Sequence, residues 1–167
     1  MYFLYQLEHI GRIFFKCIGW VKMQALLQRV SEASVSVENA IVGQIGQGLL
    51  VLLCAEHGDT KESSLQMMEK ILKLRIFSDK NGKMNLSVQD INGALLIVSQ
   101  FTLAADTSKG NRPSFGRAAS FLSAKNLYDE FVSLAQESGI HVETGVFGAD
   151  MKVFLINNGP VTIPMTA

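Results

Sequence analysis

Hydrophobic and polar positions change their period several times after Met23. Residues 24–30, QALLQRV, are short and apolar with a polar tail, which predicts a strand. Residues 33–38 alternate, so Val35 and Val37 share one face while Ser34 and Ser36 share the other. Asn39 marks a turn and 41–45 returns, giving a hairpin or meander. GLLVLLC at 48–54 is nearly all apolar, the pattern of a strand covered on both faces. Asp59 to Glu62 has the polarity of a helix start, and Leu65, Met68, Ile71, Leu72 and Arg75 follow at helical spacing. Asp79-Lys80-Asn81-Gly82 reads as a turn. ALLIVSQ at 94–100 predicts a second buried strand with a polar end, and 104–118 a long polar loop. Ser123 is expected to cap a helix presenting Leu127, Phe131, Leu134 and Ala135, with Gly139 as its stop. His141 stands where a further strand can begin. The run from Met151 to Ile156 predicts a last buried strand, followed by a Gly-Pro turn and Val161-Thr162-Ile163. The pattern is that of one α/β domain over residues 23–167.

Composition narrows the class. The 167 residues are 48 % apolar and 18 % charged, which is globular. Fifteen basic and fifteen acidic side chains cancel, which excludes a wholly basic nucleic-acid binder but not a local basic rim. Cys17 and Cys54 lie far apart without a CxxC or a Cys/His cluster, so neither a disulfide scaffold nor a zinc module is expected, nor any other metal or cofactor. A reducing, cytoplasmic compartment is expected, with no membrane span. Residues 1–22 differ in character: they hold Tyr2, Phe3, Tyr5, Phe14, Phe15 and Trp20 and carry Arg12, Lys16 and Lys22 against Glu8. A targeting peptide, an interfacial helix and a translated leader compete for this segment. The lack of a small-residue cleavage site after a continuous apolar core favours the leader, with Met23 as the working start.

Motifs that carry chemistry are few. His9, His57 and His141 are isolated, and GxSxG, HExxH, GxxxxGK[ST] and GxGxxG are all missing. Two polar strand ends remain. Ser99-Gln100-Phe101-Thr102 ends the apolar run 94–98, where side chains and backbone N–H groups can be held for an oxyanion; plain polar termination of a strand gives the same pattern. Asn157-Asn158-Gly159-Pro160-Val161-Thr162 is a turn signal between two apolar segments, and a cis peptide is an option there. Residue types and spacing reach no further than an α/β domain with two polar strand ends.

Those two stretches together resemble the paired signatures of D-aminoacyl-tRNA deacylases, first named D-tyrosyl-tRNA deacylases. The resemblance runs from Met23 almost to the C-terminus. It includes Leu27-Gln28-Arg29-Val30, Arg75-Ile76-Phe77, Asn81 to Asn85, Asp106-Thr107, Arg112 to Phe115 and Gly145 to Met151. It implies a homodimer of α/β subunits with an extensive, barrel-like, mixed or antiparallel sheet and two main helices. It implies hydrolysis of the ester between a D-amino acid and the terminal adenosine of tRNA, and of glycine mischarged on alanine tRNA. Gly159–Pro160 would be cis and would reach into the partner's pocket, where its carbonyls exclude an L side chain. Arg29, Asn157 and Thr162 would support that turn. Ser99, Gln100, Phe101 and Thr102 would carry the chemistry, and Phe147, Ala149 and Met151 would line the adenosine pocket. Lys109, Arg112 and Arg117 could meet acceptor-stem phosphates. Members often carry Tyr, Arg and Arg where this chain has Ala104, Ser108 and Asn111, and Gly where it has Cys54, expected to be a buried thiol.

Two mechanisms fit these residues. Thr102 could attack the ester, although no adjacent base is evident to activate it. Alternatively the ribose 2′-hydroxyl assists water while Ser99, Gln100 and backbone N–H groups hold the ester. Outside the deacylases, a non-catalytic RNA- or protein-binding module and a small-ester hydrolase using Thr102 are the competing readings.

Overall fold

The computed structural model describes residues 23–167; the leader expected over 1–22 lies outside them. Eight strands and two helices follow in the order β1 (Gln24–Val37), β2 (Ala40–Ile45), β3 (Gly48–Cys54), α1 (Lys61–Lys73), β4 (Phe77–Ser78), β5 (Met84–Leu86), β6 (Ala94–Ser99), α2 (Phe121–Glu137), β7 (His141–Thr144) and β8 (Lys152–Thr166). A 3-10 turn, Phe101–Ala104, directly follows β6. β4 and β5 form a small separate ribbon.

The first strand is longer than the patterning indicates. Ser31 and Glu32 are exposed and look like a break, yet β1 continues through them because both its edges are paired. The antiparallel register runs on from Ala33 opposite Ile45 to Val30 opposite Gly48, so β2 and β3 succeed one another along one edge. β8 pairs with the other edge. Beyond β3 the sheet turns parallel, through β6 to β7. The sheet curls until β2 comes alongside β7. A side-chain carbon at Gly43 would lie 2.5 Å from the Thr144 carbonyl oxygen, so this close approach requires glycine.

Alternation on the central strands explains their unbroken apolar sequence. Leu49, Val51 and Leu53 of β3, with Leu95 and Ile97 of β6, pack against Met67, Met68 and Ile71 of α1 and Phe131 and Ala135 of α2. Leu50, Leu96 and Val98 point the other way, joining Val30, Ala33, Val35 and Ile45 inside the curl. Each such fully buried aliphatic side chain contributes about 2 kcal/mol.

Three local expectations need correction. α1 is capped by Thr60, whose N–H donates to Ser63 Oγ at 3.4 Å, but it ends at Lys73, so Arg75 lies outside it. Arg75 instead donates to the Asn85 carbonyl at 2.8 Å. α2 is capped by Ser120 rather than Ser123, because the Ser120 hydroxyl accepts the Ser123 N–H. The last strand is neither interrupted by the Gly-Pro pair nor buried over 151–156: β8 resumes its pairing beyond Pro160, and Val153, Phe154 and Ile156 are exposed.

Candidate active site

The parallel strands β3 and β6 both end at one rim of the sheet, where a cavity of about 600 Å³ opens. This is within the size of ordinary small-molecule sites. Leu53, Cys54 and Ala55 come from β3, and Val98, Ser99, Gln100 and Phe101 from β6 and its extension. Phe147, Ala149 and Met151, from the segment before β8, close the opposite side. Six of the residues singled out from the sequence, Ser99, Gln100, Phe101, Phe147, Ala149 and Met151, therefore share this cavity. Thr102 adjoins them on the exposed start of the 3-10 turn.

The turn after β6 is fixed from behind. The Gln100 N–H donates to the Leu53 carbonyl at 2.7 Å, tying the strand end to β3. The first bond of the 3-10 turn runs from Leu103 N–H to Gln100 O at 3.1 Å. The N–H groups of Phe101 and Thr102 precede it and so have no partner within the turn. Gln100 Nε2 donates to Thr102 Oγ1. An amide cannot take the threonine proton, so this contact does not make Thr102 a nucleophile. Beneath the turn, the Cys54 thiol faces the Phe101 carbonyl at 3.6 Å, and burial pushes its pKa up to about 11.

The second strand end is built differently. Gln28 pairs with Thr162 and Val30 with Asn157, so β8 spends four residues, Asn158 to Val161, opposite the single Arg29. Arg29 is only 9 % exposed. Its Nε donates to the Asn158 carbonyl at 2.7 Å and its Nη1 to the Ile76 carbonyl. Asn157 closes the loop from the other side: Oδ1 accepts the Val161 N–H at 2.7 Å, and Nδ2 donates to the Val161 carbonyl and to Thr162 Oγ1. Gly159 has φ +147°, and a side-chain carbon there would lie 2.9 Å from Arg29 Nη2. The Gly159–Pro160 peptide is cis. Both residues are exposed, and neither lines the cavity of its own chain.

Sequence reasoning missed part of the wall. Phe121, Ala124 and Tyr128 lie at helical spacing along α2 and face the cavity, and Phe115 enters from the loop. The Tyr128 hydroxyl donates to the Ile97 carbonyl at 2.8 Å, and burial raises its pKa far above the usual phenol range. The signal was available as the i, i+3, i+7 stripe ahead of Phe131. The 104–118 loop is pinned by reciprocal Asp106–Ser114 backbone bonds of 2.7 and 2.9 Å. Arg117 lies 3.8 Å from Glu56, whereas Lys109 and Arg112 make no ion pair among the described residues. Among the described residues no group of three or more His, Cys, Asp or Glu could hold a metal, and no helix is long and apolar enough to cross a membrane.

Comparison with known proteins gives the family. A protein from Aromatoleum aromaticum named D-aminoacyl-tRNA deacylase is 59 % identical over 143 residues, covering 86 % of this chain and 94 % of that relative. A solved structure titled c-Myc DNA Unwinding Element Binding Protein superposes with a TM-score of 0.80 at 39 % identity, covering 85 % of this chain and 97 % of that one. A structure described as a probable eukaryotic D-amino acid tRNA deacylase shares the fold, with a TM-score of 0.76 at 19 % identity over 87 % of this chain and all of its own. The profile of the family described as D-Tyr-tRNA(Tyr) deacylase matches residues 26–166, and the chain belongs to that family.

Proposed function

We propose that residues 23–167 form a hydrolase that cleaves the ester between a D-amino acid and the terminal adenosine of tRNA, and that clears glycine mischarged on alanine tRNA. The observation that carries this reading is the two-ended cavity, with Ser99, Gln100 and the open N–H groups of Phe101 and Thr102 at one end and Phe147, Ala149 and Met151 at the other. Water adds to the ester carbonyl carbon, and the N–H groups hold the oxyanion. The carbon–oxygen bond to the ribose 3′-oxygen then breaks. That oxygen leaves with a proton from the attacking water, relayed by the 2′-hydroxyl. Ser99 and Gln100 position the ester, and Thr102 is not the nucleophile.

Discrimination against L substrates rests on the other strand end. Two copies of the chain pair through the exposed apolar stretch of β8, Phe154 and Ile156, so that Gly159 and Pro160 of the partner subunit enter the cavity. The turn's exposure and its absence from its own cavity support action across an interface. Carbonyls held in place by Arg29 and Asn157 occupy the space an L side chain would need, while a D side chain points outward. The substrate is an acceptor end met in the cytoplasm, and the neutral net charge fits a small phosphate footprint.

Deacylation of D- and L-tyrosyl-tRNA tests this. Cleavage of the D form alone is expected. Equal cleavage of both overturns the selection scheme. Cleavage of neither points to a binding module, and turnover of free small esters to a general esterase. Thr102→Ala is expected to retain substantial activity, and a tRNA ending in 2′-deoxyadenosine to be a poor substrate.

A further inference from the structure

Two edge-to-face aromatic pairs flank the cavity. Phe101 and Phe115, with ring centroids 5.1 Å apart, stand beside Ser99 and Gln100. Phe121 and Phe147, 5.2 Å apart, stand beside Ala149 and Met151. Phe121 is the first residue of α2. It lines the cavity yet is 71 % exposed, as is Leu122 next to it. Its contact with Phe147 is at 72° between ring planes, so the pair leaves aromatic face open to solvent. Lys125, one helical turn along, sits 5.9 Å over the Phe147 ring. An exposed aromatic ring continuous with an enclosed apolar cavity is a surface made to be covered.

The order of groups says what covers it. With the ester at Ser99–Thr102 and the nucleoside against Phe147 and Met151, Phe121, which touches Phe147 and is open to solvent, is the exposed ring next to the nucleoside end. We infer that the exposed ring of Phe121 is a stacking platform for the base immediately preceding the terminal adenosine of the tRNA. This rests on the deacylase reading above and adds a second nucleotide subsite to it. Stacking suits the position because every base has a flat apolar face, whereas a hydrogen-bonding site would need polar groups that Phe121 and Leu122 do not supply. The phosphate joining the two nucleotides meets the amino end of α2 and the Lys125 ammonium, both of positive sign, with Asp129 partly neutralising the latter. The other pair, Phe101 and Phe115, stands at the ester end, away from the preceding nucleotide, and a protein partner has no comparable continuity with the cavity.

The test compares D-tyrosyl-adenosine with D-tyrosyl-cytidylyl-adenosine, in wild type and in Phe121→Ala and Phe121→Trp. In wild type the added cytidine is expected to improve kcat/KM about tenfold through KM, the size of one base–aromatic stack. That gain is expected to vanish in Phe121→Ala and to persist in Phe121→Trp. An abasic residue in place of the cytidine base should remove the gain in wild type as well. A gain that survives Phe121→Ala, or no gain in wild type, overturns the platform while leaving deacylation standing. A change in sedimentation mass on Phe121→Ala assigns the ring to a contact between copies and also overturns it. Failure of wild type to cleave either substrate, or D-tyrosyl-tRNA, defeats the deacylase reading and the platform with it.

Discussion

The ends of β6 and β8 look alike in sequence, each an apolar run that gives way to amides and hydroxyls, yet they are fixed in opposite ways. The Ser99–Thr102 end is tied to its neighbouring strand by backbone, through the Gln100 bond to Leu53, and the one bond between its own side chains, Gln100 to Thr102, leaves Ser99 free to meet a ligand. The Asn157–Thr162 end is held by side chains, with Arg29 bonded to the Asn158 carbonyl and Asn157 to both backbone groups of Val161. In the proposed function the end that performs chemistry keeps its donors open, and the end that keeps a shape uses side chains in bracing. The two ends should therefore respond to mutation in different measurables, catalytic rate at one and selectivity with stability at the other.

The largest effect is expected at Arg29. Arg29→Met removes two charge-assisted bonds and leaves the Asn158 and Ile76 carbonyls without their buried donor. Such bonds are worth about 1.5–3 kcal/mol each, so urea unfolding should report a loss of about 3 kcal/mol or more. The ratio of D- to L-tyrosyl-tRNA cleavage should fall at least about tenfold, or 1.4 kcal/mol in selectivity. A stable variant with unaltered selectivity would show that the brace is not what excludes the L form.

Ser99→Ala probes the other end. It should lower kcat on the D substrate by about a hundredfold, the usual cost of an oxyanion or ester-positioning donor. Stability should move by less than about 0.5 kcal/mol, because Ser99 is half-buried and braces nothing. The D/L ratio should hold. If selectivity collapses along with the rate, the two ends are not separable and the contrast between them fails.

Asn157→Ala is the milder counterpart of the Arg29 change. It deletes the short bond to the Val161 N–H and two longer ones while leaving Arg29 in place. A stability loss of about 1–2 kcal/mol is expected, with a smaller fall in selectivity than Arg29→Met gives. Thermal unfolding alongside the two-substrate assay measures both. A larger selectivity loss here than at Arg29 would reverse the order of the two braces.

The contrast also explains what could be read without coordinates. The buried strands β3 and β6 were legible because both faces are covered, which leaves an unbroken apolar run. The continuity of β8 was not, because Gly-Pro is a strong local break and only the pairing from Gln28 opposite Thr162 to Gln24 opposite Thr166 shows that the ladder resumes. The apolar run 151–156 read as buried for the same reason β3 did, since composition cannot tell a core strand from an exposed one. Ser120 and Ser123 are equivalent as helix caps by type, and one hydrogen bond between them decides which serves. The α2 side of the cavity, Phe121 and Tyr128, escaped notice because the same stripe also supplies Phe131 to the core.

The smallest effect is expected beneath the first strand end, at Cys54. Burial raises its thiol pKa from 9.0 to about 11 in the folded chain. The unfolded chain therefore loses this proton first as pH rises. The sign follows: the thiol's contribution to stability is complete below pH 9.0 and is lost as pH climbs toward about 11. Cys54→Ser keeps a donor facing the Phe101 carbonyl and has nothing to titrate in that range. The difference in unfolding free energy between wild type and Cys54→Ser should be level up to about pH 9 and should shift against wild type above it. Parallel curves through pH 11 would mean that the thiol is not desolvated in solution. The floor beneath the Ser99–Thr102 strand end would then be open to water, and its bracing would have to include a solvent contact.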